Sequence, residues 1–147
     1  MDYELQMELN EGLRVQASKG NVEGVTILLD QGADINHLDE TSQSALHHAI
    51  ASKSSQLVHF LIKEGADVNN YDEDNMGDTP ISHAAKFGLL RIAKMLLRAG
   101  ADPYIAGTMG HDALHQAQAW EDTDAPKICQ AIIAENPPPK NRRQRQL

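Results

Sequence analysis

Two histidines four residues apart with a carboxylate between them, His111-Asp112-Ala113-Leu114-His115, come nearest in this chain to a catalytic pattern. On one continuous helix such a pair holds zinc while the acid serves as general base, but that chemistry uses glutamate in second place and a third protein ligand. No other ligand cluster is evident. His47 and His48 stand together in Leu46-His47-His48-Ala49, and His83 lies in a similar string, Ile81-Ser82-His83-Ala84. There is no glycine-rich phosphate loop, Ser/His/Asp grouping or activated Cys/His pair. The single Cys129 sits among Ile128, Ile132 and Ile133, so no internal disulfide can form; it reads as a small buried hydrophobe in a reducing compartment. The sequence therefore predicts no catalytic, metal-binding or cofactor-binding residue.

The elements that position these side chains recur. Gly32-Ala33-Asp34-Ile35-Asn36, Gly65-Ala66-Asp67-Val68-Asn69 and Gly100-Ala101-Asp102-Pro103-Tyr104 follow one another at 33 and then 35 residues. Each closes an apolar run, Ile27-Leu28-Leu29, Phe60-Leu61-Ile62 and Met95-Leu96-Leu97, as a glycine does when it ends a helix in the left-handed conformation. Upstream, Leu46, Ile81 and Leu114 open the first helix of each pair. Thr79 is placed to cap its helix and Pro80 to fill the first helical position, where a missing N–H costs nothing; Ser44 and Asp112 stand where Thr79 does and are competent caps. That register puts His111 in the turn before the helix, so it cannot be presumed to share a face with His115.

With its Asp74-Asn75-Met76-Gly77-Asp78-Thr79-Pro80-Ile81 string and its three Gly-Ala-Asp phrases, the sequence resembles the ankyrin-repeat family over roughly residues 10 to 136. The resemblance implies an all-α solenoid of helix-turn-helix units joined by β-hairpin-like loops. A single domain over 1–136 then comprises an N-terminal capping repeat at about 1–36, repeats at 37–69 and 70–104, and a C-terminal capping repeat at 105–136. Leu5, Leu9 and Leu13 recur every four residues, so the first helix begins near residue 3. In this family the histidine position occupied by His47 and His115 is structural and hydrogen-bonds between adjacent turns.

Charge divides unevenly. The segment 137–147 opens with Pro137-Pro138-Pro139 and carries Lys140, Arg142, Arg143 and Arg145 without an acid; it is expected to be a disordered tail. The remainder has 9 basic and 21 acidic residues, a body that repels a phosphate backbone and suits a basic protein surface. No apolar run is long enough to span a membrane and no leader is visible. The expected location is cytoplasmic, or exported or periplasmic if a leader preceded Met1 and was removed.

The resemblance assigns recognition to the positions the repeat leaves free, namely the hairpin tips and the ends of the first helices, along a concave face. Trp120, Phe87, Met76, Met109 and Tyr71 are the expected anchors, with Asp72, Glu73, Asp74, Asp78, Glu40 and His111 around them. Core burial of Phe87 and Trp120 is the competing reading. The expected function is a non-catalytic protein-binding module, monomeric when free, that inhibits or masks a basic, partly apolar partner, as an immunity-type protein would. A passive scaffold is the alternative; nucleic-acid or membrane attachment through the tail and metal-dependent catalysis rank below both.

Overall fold

The computed structural model describes residues 2–119 and 124–137, so Trp120 and the tail beyond Pro137 lie outside the described residues. Among the described residues eight α-helices follow in order: α1 (Tyr3–Ser18), α2 (Val22–Asp30), α3 (Ala45–Ala51), α4 (Ser55–Lys63), α5 (Pro80–Lys86), α6 (Leu90–Arg98), α7 (Ala113–Gln118) and α8 (Ala125–Glu135). They pair in sequence, α1, α3, α5 and α7 stacking as one layer and α2, α4, α6 and α8 as a second. Among the described residues there is no strand, and the hairpin-like loops are closed by single bonds such as Asp39 N–H to Gln43 O and Gly107 N–H to His111 O, both 2.9 Å.

The caps act much as their residue types dictate. Thr79 Oγ1 accepts the Ser82 N–H at 3.3 Å with Pro80 at the first helical position, and Asp112 Oδ1 accepts the His115 N–H at 3.0 Å. Ser44 behaves differently: its own N–H and its hydroxyl both point at His47 Nδ1, 3.0 and 2.9 Å away. The two residues form a capping box, in which the helix side chain also reaches back to the cap.

Between the layers lie Leu46, Ile50, Leu57, Leu61, Ile81, Leu96, Ile128 and Ile132, all buried. Facing positions of the first layer carry Ala45, Ala49, Ala84, Ala113 and Ala117, whose small side chains let successive first helices approach closely. In α1 the buried stripe is Leu9, Leu13 and Ala17, whereas Leu5 and Val15 face solvent, because a capping helix has a neighbour on one side only. Cys129 is half-buried at the edge of the core instead of enclosed, and burial pushes its thiol pKa up, away from the reactive thiolate.

The Gly-Ala-Asp phrase does more than end a helix. Gly32, Gly65 and Gly100 have φ of 100°, 95° and 97°, open to glycine at no steric cost. Each following aspartate then folds its Oδ1 onto the N–H two residues on, at 2.9 Å in Asp34–Asn36, Asp67–Asn69 and Asp102–Tyr104. With the turn so held, the aspartate's own N–H is aimed upstream, within the first unit for Asp34 and at the preceding unit for Asp67 and Asp102. Asn10 Oδ1 accepts it from Asp34 at 2.8 Å, Asn36 from Asp67 at 2.8 Å and Asn69 from Asp102 at 2.7 Å. In the last of the three phrases Tyr104 stands where asparagine would, and its hydroxyl donates to the Asn136 carbonyl.

Asn69 also donates from Nδ2 to the Gly100 carbonyl at 3.3 Å. Asn69→Ala removes both bonds across one repeat boundary and is expected to lower stability by about 1 to 2 kcal/mol, readable as a lower urea midpoint. An unchanged midpoint would show that the ladder follows from the stacking without contributing to it.

Candidate functional site: the ridge of hairpin tips

The three loops preceding α3, α5 and α7 stand side by side because their polar groups bond from one tip to the next. Ser42 Oγ donates to Asp72 Oδ2 at 3.0 Å; Thr108 donates its N–H to Asp78 Oδ1 at 3.1 Å and its hydroxyl to the Met76 carbonyl at 3.0 Å. Gly77 and Gly107 make the approach possible, since a Cβ on Gly107 would lie 2.9 Å from the Gly77 carbonyl and 2.8 Å from Asp78 Oδ1. Asp72 accepts in addition from Asn75 Nδ2 at 2.7 Å and from the Asn75 N–H at 3.1 Å. Those bonds, the Asn75 side chain foremost, hold its carboxyl below the ordinary carboxylate range.

These contacts sort the expected binding acids. Asp72 and Asp78 are half-buried and spend their carboxylates joining tips, whereas Glu40, Glu73 and Asp74 are exposed. Met76 and Met109 point outward, 53% and 80% exposed, and both hold left-handed backbone, with φ of 53° and 60°. For a non-glycine residue that conformation is uncommon and mildly strained. Tyr71 is half-buried at the foot of its tip, and His111, though outside α7, stacks its ring on His115 at 5.6 Å. His115 is held by Asp112 at 2.7 Å, and among the described residues no three potential ligands gather around a common point.

Beneath the tips the first helices supply a row of rings. His47 Nδ1 accepts from the Ser44 N–H, so Nε2 carries the proton and donates to the Asp78 carbonyl of the next unit at 2.7 Å. This bond ties α3 to the following tip, as the repeat histidine is expected to do. Ser82 replaces that histidine in the next unit, and His83 one position later turns inward, edge-on to His47 at 5.6 Å and to Phe87 at 4.8 Å. Phe87 remains 41% exposed at the end of α5. A polar cleft of about 200 Å³ opens here, walled by Ser42, His47, Met76, His83, Lys86 and Thr108.

At the N-terminal end Asp39 organises the first tip. Burial alone would raise its pKa, but bonds from Thr41, His48 and Gln43 outweigh burial and bring it down to about 2. His48 Nε2 lies 2.8 Å and Arg14 Nε 3.5 Å from its Oδ2. Ser42 was not among the sequence-level candidates, and Lys86 and Thr108 stood at free positions of the repeat without being expected anchors. The partners of Ser42 and Thr108, Asp72 and Asp78, stand about thirty residues away.

A family model for ankyrin repeats, in three copies, matches residues 13–106. The chain belongs to the ankyrin-repeat family. Over 83 residues it is 41% identical to an L-asparaginase of Dirofilaria immitis, a match covering 54% of this chain and 14% of that protein. Over 93 residues it is 29% identical to diacylglycerol kinase zeta of Rattus norvegicus, covering 63% and 10%. A B-cell lymphoma 3 protein homolog of Mus musculus is 35% identical over 91 residues, covering 61% and 20%. The chain thus spans a fifth or less of the length of each of these relatives. Ankyrin repeats are protein–protein interaction modules on a non-catalytic fold, and the tip ridge and first-helix face are the surface considered for that role.

Burial, and next the charge of His47, lower the pKa of His83 from 6.5 to about 4; burial likewise lowers that of His47. The unfolded chain therefore takes up these protons first. Stability is full above about pH 6.5 and falls as the pH drops toward about 4, with a slope approaching 1.4 kcal/mol per pH unit for each histidine. Urea unfolding at about pH 7 and about pH 5 should show this loss, reduced in His83→Gln. A variant that loses as much as the parent would place the titration elsewhere.

Proposed function

We propose that this ankyrin domain binds a protein partner through the ridge of tips and the adjoining end of α5, and that it works by covering the partner's functional surface. The carrying observation is the pair Met76 and Met109, exposed on neighbouring tips, held in left-handed backbone and tied together through the Thr108 hydroxyl. Methionine is a polarizable, adaptable anchor, and strained exposed positions point to a functional surface. Phe87 extends the apolar patch onto α5, while Glu40, Glu73 and Asp74 supply an acidic surround that favours a partner rimmed with lysine or arginine. Trp120 belongs to the same proposal by its register at the end of the next first helix.

Masking is favoured over small-molecule binding because the tip cleft, at about 200 Å³, is smaller than the roughly 300 to 1,000 Å³ of ligand pockets. The bonds from tip to tip also preassemble the ridge, so little ordering entropy is lost when a partner docks. An enzyme inhibited by occlusion is the proposed partner class.

The test begins with affinity capture from the native host and continues with the isolated partner. Met76→Ala combined with Met109→Ala is expected to weaken binding by about tenfold or more with little change in melting temperature, as interface anchors do. If the partner is an enzyme, its turnover should fall in proportion to occupancy. Equal affinity of the double variant would retire the methionine ridge; full turnover at saturation would leave binding without inhibition.

A further inference from the structure

The opposite side of the stack carries charge of the opposite sign. Between α4 and α6 runs a groove of about 630 Å³. Leu90 and Met95, half-buried against the core, form its floor, and Arg91, Lys94 and Arg98 stand along its α6 wall. Ser55, Gln56 and His59 of α4 form the facing wall, which carries no carboxylate. The groove continues past α6, since Leu90 and Lys94 also line the depression of about 370 Å³ between α6 and α8.

Spaced i, i+3 and i+7, the three cations share one face of α6 over about 10 Å. None makes an ion pair among the described residues, where the bridges involve Arg14, His48, His115 and Lys127 instead. The repeat itself does not require them. At matching positions of α2, α4 and α6 the residues are Glu23, Gln56 and Arg91, then Thr26, His59 and Lys94, then Asp30, Lys63 and Arg98. The outer face thus changes from acidic to cationic along the stack, within a chain of net charge −8.

We infer that the α4/α6 groove is a second docking surface, whose occupant is an acidic amphipathic helix of a partner protein. Carboxylates at i, i+3 and i+7 of such a helix match the spacing of Arg91, Lys94 and Arg98, while its apolar side chains cover Leu90 and Met95. The chain's own segment 137–147 is a poor occupant, because its four cations and no acid would meet like charge. A nucleic acid fits less well, because the apolar floor offers nothing to a phosphate backbone and the rest of the protein repels it.

The test uses the full chain and a synthetic helical peptide of about 16 residues, long enough to form a helix, with glutamates at i, i+3 and i+7 beside leucines. Fluorescence anisotropy of the labelled peptide should report saturable binding that weakens as ionic strength rises and falls about tenfold or more in Arg91→Glu/Arg98→Glu. The milder Arg91→Gln/Arg98→Gln should give an intermediate loss, and circular dichroism should show both variants folded. Met76→Ala/Met109→Ala should bind the peptide like the parent, which separates this surface from the tips. No binding, equal binding by the charge-reversed variant, or equal binding of a lysine-for-glutamate peptide would each overturn the proposal. So would a labelled oligonucleotide that binds in place of the peptide with the same dependence on Arg91 and Arg98.

Discussion

The fold depends on a hydrogen bond from the N–H of each turn aspartate to an asparagine far upstream, which closes the first unit at Asn10–Asp34 and crosses the next two repeat boundaries at Asn36–Asp67 and Asn69–Asp102. The two partners lie 24 residues apart at Asn10–Asp34, 31 at Asn36–Asp67 and 33 at Asn69–Asp102, so local folding cannot make the bond. Its two later copies form only when one unit stacks in register on the next. The preceding glycine and the aspartate's own side chain prearrange the turn so that the N–H is already aimed. A local conformational preference thereby becomes a specific bond between units, and the same geometry repeats down the stack.

Register has a second guarantor on the first-helix layer. Alanines there allow close approach, and His47 spans the boundary from the Ser44 cap to the Asp78 carbonyl as a neutral ring with its proton on Nε2. The buried ring of His83 adds an edge-on contact that favours the uncharged form, so stacking and protonation are linked. His47 and His83 therefore serve cohesion. Their burial and mutual contact make them poor proton carriers at neutral pH.

Stacking in turn decides what each face presents. One side gathers loop tips, which offer methionines and acids on a preassembled ridge. The other exposes the second helices, whose solvent-facing positions are free to change sign from unit to unit. A solenoid keeps these faces apart because each helix contributes one side to the core and another to a single surface.

The repeat period, the glycine turns, the caps at Thr79 and Asp112 and the family were legible in the sequence, because each rests on residues a few positions apart. The start of α1 near residue 3 followed from its leucine spacing, although the exposure of Leu5 depended on where the neighbouring helix ends. Which tip acids remain free did not follow. Asp72 and Asp78 look like Glu73 and Asp74 in the chain, but only the first two meet Ser42 and Thr108, about thirty residues away. The inward turn of His83, the role of Asn10 and the cationic wall of the α4/α6 groove were likewise decided by tertiary structure. A periodic sequence specifies each unit's own face, whereas contacts between units depend on how closely those faces are brought together.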